Sequence, residues 1–128
     1  MKVYVYRNLH KNCFSIKALE GEKKGRVIGH ATDVSLYDVE FRVSEKGRQR
    51  VLREKKKYVH AGVVGKLLAS EPFSQSERER LNMRPIRYNP YETETFQTQD
   101  GTPIHSAIAA YLSNNRIYAC YVQEGEHL

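Results

Sequence analysis

The chain has 128 residues, about the length of one globular domain, and its 40% apolar content supplies one modest core and too little for two. Residues 1–69 hold 16 Lys/Arg against 7 Asp/Glu and the remainder 5 against 8, so the net charge of +6 sits in the first half. That excludes a DNA-mimic inhibitor, which needs an acidic face, and it favours an acidic partner.

Lys2–Arg7 alternates Val3 and Val5 with Tyr4 and Tyr6, the period-2 pattern of a half-buried strand. Cys13–Leu19 predicts a second strand, with Phe14, Ile16 and Ala18 on one face. The glycine-bounded, charged run 20–25 predicts an exposed loop, and Arg26–Ala31 a third strand. In Tyr37–Val43 the residues Tyr37, Val39, Phe41 and Val43 alternate with Asp38, Glu40 and Arg42, so those four are expected on one face. Ser44 offers an N-cap and Glu45 a first-turn carboxylate for a surface helix over Glu45–Lys56. Val51 and Leu52 are its apolar anchors, and Gly47 weakens its interior. Tyr58–Leu68, apolar or small on both faces, predicts a central strand.

Residues 69–85 form an excursion, in which Ser74 or Ser76 caps a brief helix through Leu81 and Pro85 stops it. Asp100-Gly101 marks a hairpin turn between Thr95–Gln99 and Pro103–Ala110, and Asn114-Asn115 another between Ala107–Leu112 and Arg116–Val122. Alanine content allows Ile104–Leu112 as a helix, but the alternation of Ile108, Ala110 and Leu112 favours a strand. The expected fold is α+β: a strand-rich single domain over 1–128, with a curved antiparallel sheet and one or two short helices.

The segment Arg42–Lys57 carries eight Lys/Arg (Arg42, Lys46, Arg48, Arg50, Arg53 and Lys55 to Lys57) against Glu45 and Glu54, a net +6 equal to that of the whole chain. On a helix, Lys46, Arg50, Arg53 and Lys57 form one cationic stripe, a pattern suited to phosphates. The plainer alternative is a solvated helix face. Tyr4 and Tyr6 share a strand face with Lys2, and open rings there stack bases; otherwise they pack at the sheet. The candidate nucleic-acid contacts are therefore Lys46, Arg50, Arg53, Lys55, Lys56, Lys57, Arg7, Tyr4 and Tyr6. The loop Arg84–Tyr91 places Arg84, Arg87, Tyr88 and Tyr91 around Asn89-Pro90, either as a partner-binding loop or as a rigid connector whose tyrosines cap the sheet.

Catalysis is harder to build. Val3–Leu9 lies one insertion away from the first-strand motif of RNA-recognition-motif domains, but the helix and second motif of that fold are missing. Of the five histidines (His10, His30, His60, His105, His127), only His10 has a ligand-type neighbour, Cys13, so no zinc set forms. Glu22–Lys24 and Glu54–Lys56 match the acid-x-Lys triplet of metal nucleases, with Asp38 and Glu40 as paired carboxylates; a basic chain produces such matches by chance. A metal-free ribonuclease using His10 or His60 needs no motif. No Walker loop, dinucleotide fingerprint or serine elbow occurs, and Cys13 and Cys120 read as small core residues. No catalytic residue, metal or cofactor is assigned, and an enzyme is not the favoured reading.

The run Tyr4–His10, the stretch Gly29–Val43, the block Gly47–Arg53, His60-Ala61, Arg87–Tyr91 and Gly101–His105 together resemble a group of small uncharacterised proteins carried by bacteriophages and bacterial mobile elements. The resemblance implies action in a bacterial cytoplasm, in replication, mobility or the countering of host defence, and transfers no catalytic residue. The cytoplasmic expectation also rests on the lack of any ~18-residue apolar run, of an apolar block after Met1, and of a disulfide framework. The leading expectation is a non-catalytic nucleic-acid-binding protein clamping phosphates through the basic helix. The alternatives are an anti-CRISPR-type inhibitor binding a host nucleoprotein complex and a small metal-dependent nuclease.

Overall fold

The structure, a computed structural model, describes residues 1–67 and 71–121. The alternating segment Lys2–Arg7 forms strand β1, and β2 (Phe14–Ala18) folds back on it with Val5 opposite Ile16 and Tyr6 opposite Ser15. Asn8 builds the turn between them: its Oδ1 accepts the backbone N–H groups of His10 (2.9 Å) and Lys11 (2.8 Å). There follow β3 (Val27–Ala31), β4 (Asp33–Val43), helix α1 (Glu45–Glu54) and β5 (Ala61–Lys66). The second half holds α2 (Gln75–Arg80), β6 (Arg84–Ile86), β7 (Phe96–Gln97), β8 (Pro103–Ile104), β9 (Ser106–Ser113) and β10 (Arg116–Cys120).

Eight strands make one antiparallel sheet in the order β3-β2-β1-β5-β4-β9-β10-β6, and β7 pairs with β8 in a separate ribbon. The expected strand-rich α+β architecture is present, with two short helices, and β5 is central as its two apolar faces predict. The sheet is curved but open, with β3 and β6 as its edges. Although β5 and β4 separate β1 from β9, Arg7 Nη1 at the end of β1 donates to the Asn114 carbonyl in the β9–β10 turn at 2.9 Å. The cationic half of the sequence thus forms one flank of the sheet, β3 to β4, and the acidic half the other.

One face of the curved sheet holds the main core, in which Val3, Val5, Leu36 and Val63 have no exposure. On the other face a smaller cluster forms where the α2 segment packs Phe73, Leu81 and Met83 against Tyr37, Ala109 and Tyr111 of β4 and β9. Ser74 caps α2 reciprocally with Glu77, and Ser35 Oγ accepts the Phe73 N–H at 2.7 Å.

Several expectations are corrected. Tyr37 does not share a face with Val39, because Asp38 adopts a left-handed φ of 48° at an irregularity in the β4–β5 register. The inward set therefore runs Val34, Leu36, Val39, Phe41, and Tyr37 turns to Phe73 on the opposite face. Ile108, between the pairs Tyr37–Ala109 and Val39–Ala107, is likewise 55% exposed instead of joining Ala110 and Leu112 inside. Helix α1 stops at Glu54, short of Lys56, because Lys55 takes φ 55° and its N–H returns to the Val51 carbonyl. The β5 strand begins at Ala61, after Tyr58–His60, and Leu68 and Val122, the predicted ends of two strands, lie outside the described residues. Asn82, at φ 52°, ends the α2 turn, while Pro85 sits within β6. The stretch Pro103–Ala110 breaks at His105, its halves belonging to different sheets.

Candidate nucleic-acid interface

The helix predicted to carry the cationic stripe is partly neutralised, two of its arginines sharing one carboxylate. Arg50 Nε donates to Glu54 Oε2 at 2.9 Å and its guanidinium lies 3.8 Å from the Tyr58 ring centre, while Arg53 sits 3.6 Å from the same carboxylate. The 2.7 Å hydrogen bond from the Tyr58 hydroxyl and, next, these arginine contacts hold the Glu54 carboxyl below its ordinary range. Lys46 is exposed and has no ion pair among the described residues. Lys57 is not on the helix at all, so the four-cation stripe is reduced to three positions.

What the helix end does instead is project Lys55, Lys56 and Lys57 as an exposed tail, none of them ion-paired among the described residues. Lys57 at the end of the tail starts one wall of a groove of 860 Å³ whose other wall is the β1–β2 turn. Tyr6, Arg7, His10 and Lys11 line it from that side, and Tyr58 and Val59 from the tail side. A hollow of 530 Å³ shares Leu9 and the tail and continues under α1 to Tyr88, Pro90 and Tyr91. No Asp or Glu lines either part. Leu9, Val59 and Tyr91 are 45%, 46% and 60% exposed there, an unusual gathering of apolar surface around cations.

The walls are fixed by contacts the sequence specifies locally. Arg7 braces the β1–β2 turn: it donates to Asn12 Oδ1 as well as to the Asn114 carbonyl and lies 5.4 Å over the Phe14 ring. Its charge faces the groove, with one donor on each terminal nitrogen engaged in these bonds. On the other side, Gly47 of α1 packs directly on His60; a Cβ at that position would lie 2.5 Å from the His60 Cβ. The glycine that weakens the helix is thus what admits the helix to the groove wall. His60 Nδ1 donates to the Tyr58 carbonyl at 2.7 Å, and its Nε2 is hydrogen-bonded to the Tyr88 hydroxyl at 2.7 Å. Burial pushes the Tyr88 phenol up to about 12. Tyr88 stacks on Phe96, and Arg48 Nε donates to the Pro90 carbonyl at 2.9 Å, which ties loop 88–91 to both core and helix.

Of the predicted nucleic-acid contacts, the structure brings together Lys55, Lys56, Lys57, Arg7 and Tyr6. Tyr4 stands one pleat away, its ring 5.7 Å from that of Tyr6, on the sheet face that also carries Arg42. Tyr4 covers Gly62, and burial raises its phenol above the ordinary value. Lys46, Arg50 and Arg53 lie outside the groove. The predicted partner loop divides: Tyr88 is held by His60, and Arg84 donates to the Tyr121 carbonyl at 2.6 Å and lies over that ring, while Arg87 and Tyr91 are exposed. Leu9, Lys11 and Val59 were not legible as site residues. The only sequence signal of Leu9 and Val59 is an apolar residue stranded in a polar stretch, and Lys11 carries none.

The paired carboxylates of the nuclease reading have partners of their own, Asp38 with Lys66 at 3.0 Å and Glu40 with Arg42 at 3.0 Å. Among the described residues no three His, Cys, Asp or Glu side chains gather as a metal site. Also among the described residues, no helix is long and apolar enough to cross a membrane.

Comparison with known proteins adds a lineage to this geometry. No solved structure matches the chain. The curated Gene 82 protein of Mycobacterium phage L5 is 39% identical over 128 aligned residues, covering 93% of this chain and 95% of the phage protein. The family described as Mycobacterium phage L5 gene 82 protein matches residues 1–120, which takes in both walls of the groove. With nearly the whole chain matched at that identity, the chain belongs to the Mycobacterium phage L5 gene 82 protein family, a family of phage proteins.

Proposed function

We propose that this phage protein binds nucleic acid without cleaving it, in the cytoplasm of the bacterial host, through the groove between the β1–β2 turn and the tail of α1. One observation carries the reading: Lys11, Lys55, Lys56 and Lys57 line a concave surface with exposed tyrosine and aliphatic groups and no lining carboxylate. Unpaired lysines neutralise phosphates and release counterions, while rings and aliphatic side chains take the bases. Such contacts position a strand without reading its sequence, so weak sequence preference follows. Lys46, Arg50 and Arg53 extend the positive potential beyond the groove, and Tyr4 extends the aromatic surface onto the sheet. The test is fluorescence anisotropy with labelled DNA and RNA at low salt, magnesium present and product length checked. Binding without cleavage, lost in Lys55→Glu/Lys56→Glu/Lys57→Glu, is the expected result; no binding by the unaltered protein refutes the reading.

A second reading, a phage inhibitor docking on a host defence complex, is favoured by a different feature. Strand β3 is a sheet edge with Val27 and Ile28 45% and 37% exposed, a template for a partner's strand. Capture of a host complex that survives nuclease treatment and vanishes in Val27→Lys/Ile28→Lys supports it, and capture indifferent to that change refutes it.

A further inference from the structure

Building on the nucleic-acid reading of the groove, we infer that it takes single-stranded nucleic acid, with unstacked bases seated against Tyr58, Tyr91, Leu9 and Val59 and the backbone along Lys55 to Lys57. A duplex keeps the faces of its bases inside the stack. Its outer surface is phosphate and sugar, and its bases are accessible only edge-on at the floor of grooves about 12 or 6 Å wide. A surface meant for that exterior is built chiefly from cations and polar donors, with apolar groups confined to thymine methyls or to wedges that unstack a base step. Here the apolar groups and the cations share one concavity. Leu9 stands on the β1–β2 turn, Val59 on the tail and Tyr91 on loop 88–91, three separate chain segments that each present apolar surface to one hollow. A concave site reads bases only if they leave the helical stack and enter it, which single strands permit without the cost of unpairing.

The size agrees. Volumes of 860 and 530 Å³ lie in the range of about 300–1,000 Å³ typical of sites that enclose small organic groups, so the two hollows suit a few bases. The rings are also held ready. The Arg50 guanidinium covers Tyr58 on one side at 3.8 Å while the Tyr58 hydroxyl is pinned to Glu54, so a base meeting that ring finds it already oriented. Tyr6, which lines the groove, leads to Tyr4 at 5.7 Å, and these two rings give a strand leaving the groove a path onto the sheet face beside Arg42. Stacking of this kind tolerates any base.

The experiment compares three fluorescent or competing ligands of matched charge: a single-stranded oligonucleotide, a blunt duplex, and inorganic polyphosphate as a polyanion without bases. The expected result is single-strand affinity at least about tenfold above duplex, with polyphosphate a poor competitor. Tyr91→Ser, at an exposed ring, and Leu9→Ser should each weaken single-strand binding about fivefold or more while leaving duplex and polyphosphate affinity unchanged. Equal affinity for single strand and duplex overturns the inference. So does single-strand binding that ignores Tyr91→Ser and Leu9→Ser yet disappears when Lys55, Lys56 and Lys57 become glutamate; both results leave the nucleic-acid reading standing. Absence of binding to every nucleic acid removes that reading and this inference together.

Discussion

Replacing the three tail lysines separates a groove that binds nucleic acid from a helix that does. Arg7, Lys11, Lys55, Lys56 and Lys57 are the groove cations free of ion pairs among the described residues, whereas Arg50 and Arg53 share the Glu54 carboxylate. Each phosphate neutralised on a single strand contributes about −0.7 to the slope of log affinity against log salt. Five cations give a slope of about −3.5, a loss of about 130-fold between roughly 50 and 200 mM salt. Lys55→Ala/Lys56→Ala/Lys57→Ala leaves two, Arg7 and Lys11, with a slope of about −1.4 and a loss of about sevenfold over the same range. Anisotropy titrations at four or five salt concentrations measure both slopes, and circular dichroism checks that the variant is folded. By contrast, Lys46→Ala/Arg53→Ala should change the slope by less than about one unit, because Arg53 is already partnered. A slope that survives loss of the tail and collapses on loss of the helix residues refutes the groove and restores the helix stripe.

Three further outcomes test the structural reasoning. Gly47→Ala should destabilise the protein by about 1–3 kcal/mol despite alanine's better helix propensity, since its Cβ would meet the His60 Cβ at 2.5 Å; a raised melting temperature refutes that packing. Leu36→Ala, at a position with no exposure in the main core, should cost about 2–5 kcal/mol in denaturant titration, and a cost under about 1 kcal/mol would show that the site is not closed. The Ser74 N–H bonded to the Glu77 carboxylate holds that carboxyl below its ordinary value of 4.5. A depressed native value means stability present above the unfolded pKa and lost as pH falls through the native one. Wild type and Glu77→Gln should therefore differ at neutral pH and converge in acid, and parallel pH profiles would show that the capping box contributes no such linkage.

Much of this protein was legible because its local rules agree with its tertiary fold. The Val/Tyr alternation of β1, the caps at Ser44 and Ser74, and the Asn114-Asn115 turn, where Asn114 takes φ 57°, are each decided by a few neighbouring residues. Alternation failed where one residue left the pleat. Asp38 inverts the facing of Tyr37 relative to Val39, and no composition rule marks an aspartate as the residue that will take a left-handed φ inside a strand. The helix stripe failed for a related reason: a spacing of four, three and four assumes a helix that reaches Lys57, whereas Lys55 ends it.

The sequence by itself determined that the fold is strand-rich, that a cationic segment follows β4, and that the charge divides between halves, because propensity, periodicity and charge are properties of adjacent residues. Only the tertiary structure decided which cations remain unpaired and what stands beside them. Curvature of the sheet brings the Arg7 end of β1 to the β9–β10 turn, and Gly47 lets α1 settle on His60, so Leu9, Val59 and Tyr91 meet around one hollow. A site assembled from segments some 30 to 80 residues apart leaves no spacing to read, since the contacts that create it form only when the chain closes on itself.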